Sequence, residues 1–340
     1  MVSIGPYHHP HSPDTNLEAM EKHKLKYLGD MLERTIEITS LEMYVEAIEK
    51  LEPEARMFYS EPIDFNSEEF IEMMLIDGFF IIELFQKKPI SVSAYEADPI
   101  FRSSSITARV MRDLVLLKNQ IPMSVLKTLF YLSRDSRSIE KLVTMALNFF
   151  DPLIPYGWYK YPINNKTLRH KHLLDLLYFT LSISLPKLSI ISDFSVAQES
   201  MPSVMELQRF GVKFKKGSSS KNSDSLIHIK FYEGVLEIPP LCIHDQTDSI
   251  FRNLIAYEKC HYTSPSYVRT YAILMDYLIK FADDVAFLRN RGIISNQLDN
   301  DNKVFSFFSG LSKGISSNGF YYLEICDKVN DYCFSNGKRK

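Results

Sequence analysis

Glycine is scarce in this sequence, 12 positions in 340. A chain with so few residues free to take left-handed turns is poorly suited to a sandwich or a propeller, which turn sharply every few residues. Cysteine is scarcer still. Cys242, Cys260, Cys326 and Cys333 all fall in the last third, at spacings that match no zinc finger, no CxxC redox pair and no secreted disulfide framework, so reduced thiols are expected. A surplus of one charge is also missing. The formal net charge is -3 and the basic residues are scattered, which removes the electrostatic footprint of a nucleic-acid binder.

The common catalytic signatures are absent too: no GxSxG elbow, no GxGxxG turn, no Walker loop and no HExxH helix. The opening MVSIGPYHHPHSP has no basic start followed by an apolar stretch, so no signal peptide is expected. No apolar run reaches the roughly 20 residues a bilayer requires. The strongest candidate besides the stretch Phe70 to Phe85, Leu173 to Ile191, is interrupted by Asp175, Pro186 and Lys187.

What the sequence does have is apolar and aromatic mass, 45% and 13% of residues, and its densest stretch is Phe70 to Phe85, FIEMMLIDGFFIIELF. Apolar side chains occupy every sector of a helix drawn through it, and a helix without a polar face must be surrounded. It is too short to span a membrane and carries Glu72, Asp77 and Glu83, so it is read as a central core helix. Asp77 and Glu83 are six residues apart and point in different directions, which rules out an acid/base pair between them. They are expected to serve basic or backbone partners instead, with Arg109, Arg112 and His23 as candidates.

The remaining pattern is mostly helical. Ser12 and Pro13 should start a first helix whose inner face carries Leu17, Met20, Lys24, Leu28, Met31 and Thr35, the lysine covering apolar surface with its stem. Thr39 and Glu42 suggest a capping box for a helix from Leu41 to about Met57, which Pro53 should break or kink. Asn66 and Glu69 cap the central helix, and Lys87, Lys88 and Pro89 stop it. Further helices are expected at Ile106 to Leu117, after Pro122, at Ile139 to Phe150, Leu168 to Leu181, Ser203 to Phe210, Asp248 to Glu258, Ser266 to Leu288, Lys303 to Leu311 and Gly319 to Tyr332. Between Val212 and Ile238 the period changes to that of β structure, with Gly217 to Ser225 as its loop.

Candidate chemical groups are few. His8, His9 and His11 cluster near the start, but adjacent histidines in an extended segment point to opposite sides, which favours packing over metal binding. Cys242, His244, Cys260 and His261 form the best thiol and imidazole set, yet CxH followed by CH is not a structural zinc spacing, and no orienting third group completes a nucleophile pair. GSSSKN at Gly217 to Asn222 leads into a strand rather than a helix and reads as a hairpin tip, not a phosphate loop. No catalytic, cofactor or metal residue is assigned.

VSIGPYHH at 2 to 9, MEKHKLKYL at 20 to 28, DGFFIIELF at 77 to 85, DLVLLKNQIPMSVL at 113 to 126, GVKF at 211 to 214, LEIPPLCIHDQTDSIFRNLIAYE at 236 to 258 and YAILMDYLI at 271 to 279 follow one another along the chain. As an ordered set they resemble the plant-specific family known as domain of unknown function number 247. The resemblance implies a helical plant domain, membrane association through a C-terminal helix, and for some grass members a part in pollen self-incompatibility. It implies no catalytic residue and no cofactor. Lys118 and Pro10 stand where the family usually has glutamate and glycine. The chain begins near GPYHH and stops at SNGKRK, so the family's upstream segment and transmembrane helix are expected to be absent, as in a truncated or unanchored form.

The resulting expectation is a mainly helical single domain over 1–340, built around a buried central helix, with a small antiparallel β element at about 211–240. Its function is read as non-enzymatic recognition of an unidentified protein partner in plant cell-surface or reproductive signalling, without nucleic acid or cofactor. Specificity would lie in the loops Pro89 to Ser105, Ser182 to Met201 and Gly217 to Ser225. The rival readings are an enzyme whose site is assembled from dispersed residues such as His8, His9, Asp77 or the Cys242 to His261 set, and a truncated copy without current function.

Overall fold

The computed structural model describes residues 1–8, 15–88, 98–133, 139–153, 170–182, 185, 201–217, 225–261, 266–313 and 319–337. The chain divides into two compact units, residues 1–153 with 162–179 and residues 154–161 with 180–340. Helices dominate both, with a small sheet in the second, which is the expected fold class. Among the described residues no helix is long and apolar enough to cross a membrane.

The first unit contains α1 (Thr15–Thr35), α2 (Leu41–Met57), α3 (Ser67–Lys87), α4 (Ser104–Asp113), α5 (Met123–Leu132), α6 (Ile139–Phe150) and most of α7 (Leu173–Ser182). α3 is the core helix the sequence pointed to. Asn66 accepts from the Glu69 amide at 2.9 Å while the Glu69 carboxylate accepts from the Asn66 amide at 3.0 Å, a complete capping box. From Phe70 to Phe85 only Glu72 is exposed and Ile76 partly so. α1, α2, α5 and α6 pack around this helix. Tyr27 of α1 stacks on Phe80, Tyr44 of α2 meets Phe79 edge-on, and Phe149 of α6 lies against Phe85. Aromatic pairs in these geometries add about 0.5–1.5 kcal/mol beyond their buried area.

Two details differ from expectation. Pro53, expected to break or kink α2, lies inside it without breaking it, and buried residues stand on both sides of it, Tyr44 and Ile48 before and Ala55 after. The helix is capped at Ser40, with no side-chain cap bond, and not by a Thr39 box. The Thr39 hydroxyl instead donates to the Leu132 carbonyl at the end of α5.

The second unit contains α8 (Val204–Arg209), β1 (Lys213–Lys216), β2 (Lys230–Tyr232), β3 (Val235–Ile238), β4 (Leu241–Ile243), α9 (Thr247–His261), α10 (Tyr267–Leu278), α11 (Ala282–Asn290), β5 (Ile294–Asn296), α12 (Asp301–Ser312) and α13 (Leu323–Gly337). The strand order is β1-β3-β2. β2 pairs antiparallel with β3, but β1 joins parallel, with Phe214 opposite Leu236, so the sheet is mixed and not the purely antiparallel element expected at about 211–240. β4 and β5 form a separate parallel pair. The hairpin turn is Glu233–Gly234, both at positive φ (49° and 76°), as a two-residue type I′ turn requires. Gly217 to Ser225 is therefore not the hairpin tip, since it runs between β1 and β2, which are not neighbours, and its residues 218–224 lie outside the described ones.

The helix expected from Ser266 to Leu288 is two helices. α10 ends at Leu278, Ile279 and Phe281 are extended, and α11 starts at Ala282. No proline or glycine marks the break. It is made by Asp284, whose carboxylate takes the amides of Lys280 and Phe281 at 3.0 Å each and so begins a new helix.

Candidate functional site

Two arrangements of polar side chains stand out, one in each unit. In the first, the opening segment of the chain is drawn into the protein by buried side chains. Val2 donates its amide to Asp113 at 2.9 Å, Ile4 to Asn119 at 2.7 Å and Gly5 to Asp77 at 2.7 Å. Asn119 returns a bond to the Val2 carbonyl at 3.1 Å, and the Lys24 ammonium donates to the Ser3 carbonyl at 2.5 Å and to Asp77 at 2.6 Å. Gln120 secures the turn behind Asn119 through the Leu114 and Leu116 carbonyls, and Tyr59 donates to its carbonyl. Gly5 has φ +71°, and a Cβ there would fall 2.5 Å from the Gln120 carbonyl oxygen, so no other residue fits without displacement.

Lys24 is 1% exposed. Burial alone would push its ammonium down, but the charges of Asp77 and Glu21 outweigh that and hold it above the usual lysine range. This clasp orders backbone rather than presenting a reactive group. Asp77 is thus paired with Lys24 and Gly5, not with Arg109, Arg112 or His23, and Glu83 is paired with Arg34 and, at 4.0 Å, Lys87. The expected basic and backbone partners exist, but they come from α1, the N-terminal segment and the helix end. Arg112 pairs with Asp113 at 2.7 Å instead.

In the second unit a groove of about 590 Å³ is lined by Ser203, Met205, Glu206, Arg209, Asp276, Lys280, Phe281, Asp283, Asp284, Phe305 and Ser309. Its corner is the α10–α11 break. Asp284, fully buried, ties the break to α8 by also accepting the Met205 amide at 3.0 Å. Glu206 accepts the Ser203 amide, completing a capping box at the start of α8. Asp276 lies 3.6 Å from Lys280. The result is a fixed corner on which the Phe281 ring stands 71% exposed beside the exposed Asp283. An exposed aromatic on a rigid support is the form binding hot spots commonly take.

The other sequence candidates do not gather into a site. His8 is exposed at the end of a short 3₁₀ turn, and His9 and His11 lie outside the described residues. Cys242 sits on β4, His244 follows it and accepts from the Gln246 amide, while Cys260 is exposed near the end of α9 and His261 stacks on Tyr257. Among the described residues no group of three His, Cys, Asp or Glu is placed to hold a metal ion. All four cysteines are free thiols. Burial pushes the Cys326 thiol up to about 12, with Asp327 adding to it. The proposed specificity loops lie largely outside the described residues, which omit 89–97, 183–184, 186–200 and 218–224.

The segments that build the clasp are among those that carried the family resemblance, and a family model described as plant protein of unknown function matches residues 1–340. The chain belongs to this family. Among its curated relatives, the UPF0481 protein At3g47200 of Arabidopsis thaliana is 29% identical over 98% of this chain and 72% of its own length. The putative UPF0481 protein At3g02645, also of Arabidopsis thaliana, is 22% identical over 97% of this chain and 78% of its own. No solved structure matches. Val2 to Gly5, Lys24 and Asp77 lie in three of the resembling segments, and Asp113 and Asn119 share a fourth.

The groove was not legible beforehand. Its key residue, Asp284, sits in an unbroken helical pattern, and the only local sign was an acidic residue three positions after Phe281, as at the N3 position of a cap.

Proposed function

We propose that this member of the plant family is a non-enzymatic recognition protein that binds a segment of another protein in the groove at the α10–α11 break. The observation that carries the reading is the use of the groove's acids. Asp284 and Glu206 hold backbone amides and Asp276 neighbours Lys280, so these carboxylates fix the corner from which Phe281 projects. The groove volume of about 590 Å³ suits a few side chains of a partner. Acids outnumber cations along its wall, which favours a partner segment with an apolar anchor and a basic residue. The buried acids of the first unit act in the same structural way, which also supports recognition over turnover. Plant cell-surface or pollen signalling, the setting implied by the family resemblance, is one in which such a role fits.

The test is affinity capture from plant tissue with the wild-type chain, Phe281→Ala and Asp283→Lys in parallel, after circular dichroism has shown equal folding. Capture of the same protein should fall by about tenfold or more for Phe281→Ala, as expected for loss of a central aromatic anchor. Identical capture profiles for all three would remove the groove from the account.

A further inference from the structure

His23 and Arg109, expected from the sequence to neutralise core acids, are not used for that, and they line the same cavity of the first unit. The cavity measures about 210 Å³. α1 presents Met20 and His23 to it, close to one helical turn apart, and α4 presents Ile106, Arg109, Val110 and Asp113 at i, i+3, i+4 and i+7, a single face. Ile100 closes one side. Val2, held by the clasp, closes another.

The walls are therefore apolar, and the charge is unbalanced. Among the described residues Asp113 is the one carboxylate on the lining, and it is already compensated by the Val2 amide at 2.9 Å and by Arg112 at 2.7 Å. Within the described residues, neither His23 nor Arg109 makes a hydrogen bond or ion pair. A guanidinium and an imidazole without partners beside an apolar hollow match a ligand with an anionic head and an apolar body. Size narrows the body. An apolar cavity of about 150 Å³ takes up benzene, so the volume here holds one ring and a short carboxylate arm. The Met20 thioether suits an aromatic face.

We propose that this cavity binds a small one-ring aromatic carboxylic acid, with the carboxylate on Arg109 and His23 and the ring between Met20, Ile106 and Val110. The site is separate from the groove of the second unit and does not depend on the function proposed for it. Because Val2 forms one wall, the site is complete only when the N-terminal segment is seated.

Phenylacetate and 2-phenylacetamide, equal in shape and different in charge, are suitable probes for calorimetric titration of the whole chain at millimolar concentration. The acid should bind saturably and the amide at least about tenfold more weakly, the loss expected for one charge-assisted contact. Arg109→Gln, a change at an exposed position, should weaken the acid by about tenfold and leave the amide unchanged. Ile106→Trp, which fills the mouth, should abolish binding of both with the thermal midpoint preserved. Failure of phenylacetate to bind the wild type, equal binding of acid and amide, or an unchanged affinity in Arg109→Gln would each overturn the proposal.

Discussion

Asp77 in the first unit and Asp284 in the second are both essentially buried, yet the first faces a buried ammonium and the second faces backbone amides at the starts of two helices. The Lys24–Asp77 pair spans 53 positions and fixes a third segment, Ser3 to Gly5, that lies far from both in sequence. Asp284 serves two donors within four positions of itself and one in α8. A buried carboxylate needs compensation in either case. The difference is that the clasp concentrates charge on one lysine, whereas the corner spreads it over three neutral dipoles.

The comparison is broken most severely by removing the lysine. Lys24→Met leaves Asp77 without its ammonium, and losing one partner of a buried pair typically costs about 3–5 kcal/mol. Denaturant titration should show that drop. Because Lys24 is held above its ordinary range, the folded state keeps this proton longer than the unfolded chain. The contribution is complete below the ordinary lysine range and disappears as pH climbs through the raised value. Wild type and Lys24→Met should therefore converge in strong alkali; a constant gap across pH would show that packing, not charge, holds the segment.

Asp284→Ala is the matching change in the second unit. It orphans three amides, but at helix starts where water can reach some of them, so about 2–3 kcal/mol is expected. Hydrogen exchange at Met205, Lys280 and Phe281 should accelerate while Val2 and Ile4 stay protected. Gly5→Ala sharpens the comparison from the other side. A positive φ costs a residue with a Cβ about 1–2 kcal/mol, and the Gln120 carbonyl obstructs the methyl. The expected result is faster exchange at Val2 and Ile4 with the second unit unaffected.

What was legible in the sequence follows from this contrast. α3 and α6 were found at nearly their true bounds because one is apolar all round and the other strongly two-faced, and the Asn66 to Glu69 cap is a local signal. Lys24 looks in sequence like a surface-covering stem because its partners, Asp77 and the Ser3 carbonyl, are distant along the chain. The α10–α11 break was missed because the breaker is a side chain within a good helical pattern and not a proline or glycine. β4 and β5 were missed as three-residue strands too short to show alternation, and the Glu233–Gly234 turn because glutamate is an uncommon first residue in a type I′ hairpin. The candidate sites were illegible for two different reasons: the clasp is built from pairs far apart in sequence, and the groove's corner from a local helix break that no proline or glycine marks.

The mildest test concerns the thiols, and it probes the second unit without altering it. Cys260 is exposed on α9 while Cys326 is buried on α13, its thiol pushed up to about 12. Reaction requires the thiolate and access, so alkylation of native protein near neutral pH should modify Cys260 first and leave Cys326 untouched until the unit opens. The unfolded chain releases this proton near 8.5, so the folded state holds more protons between there and about 12. Stability should therefore fall as pH rises through that interval. Mass spectrometry of time-resolved alkylation reads the order directly. Modification of Cys326 as fast as Cys260 in folded protein would mean that α13 opens readily from the β2–β3 hairpin it packs against.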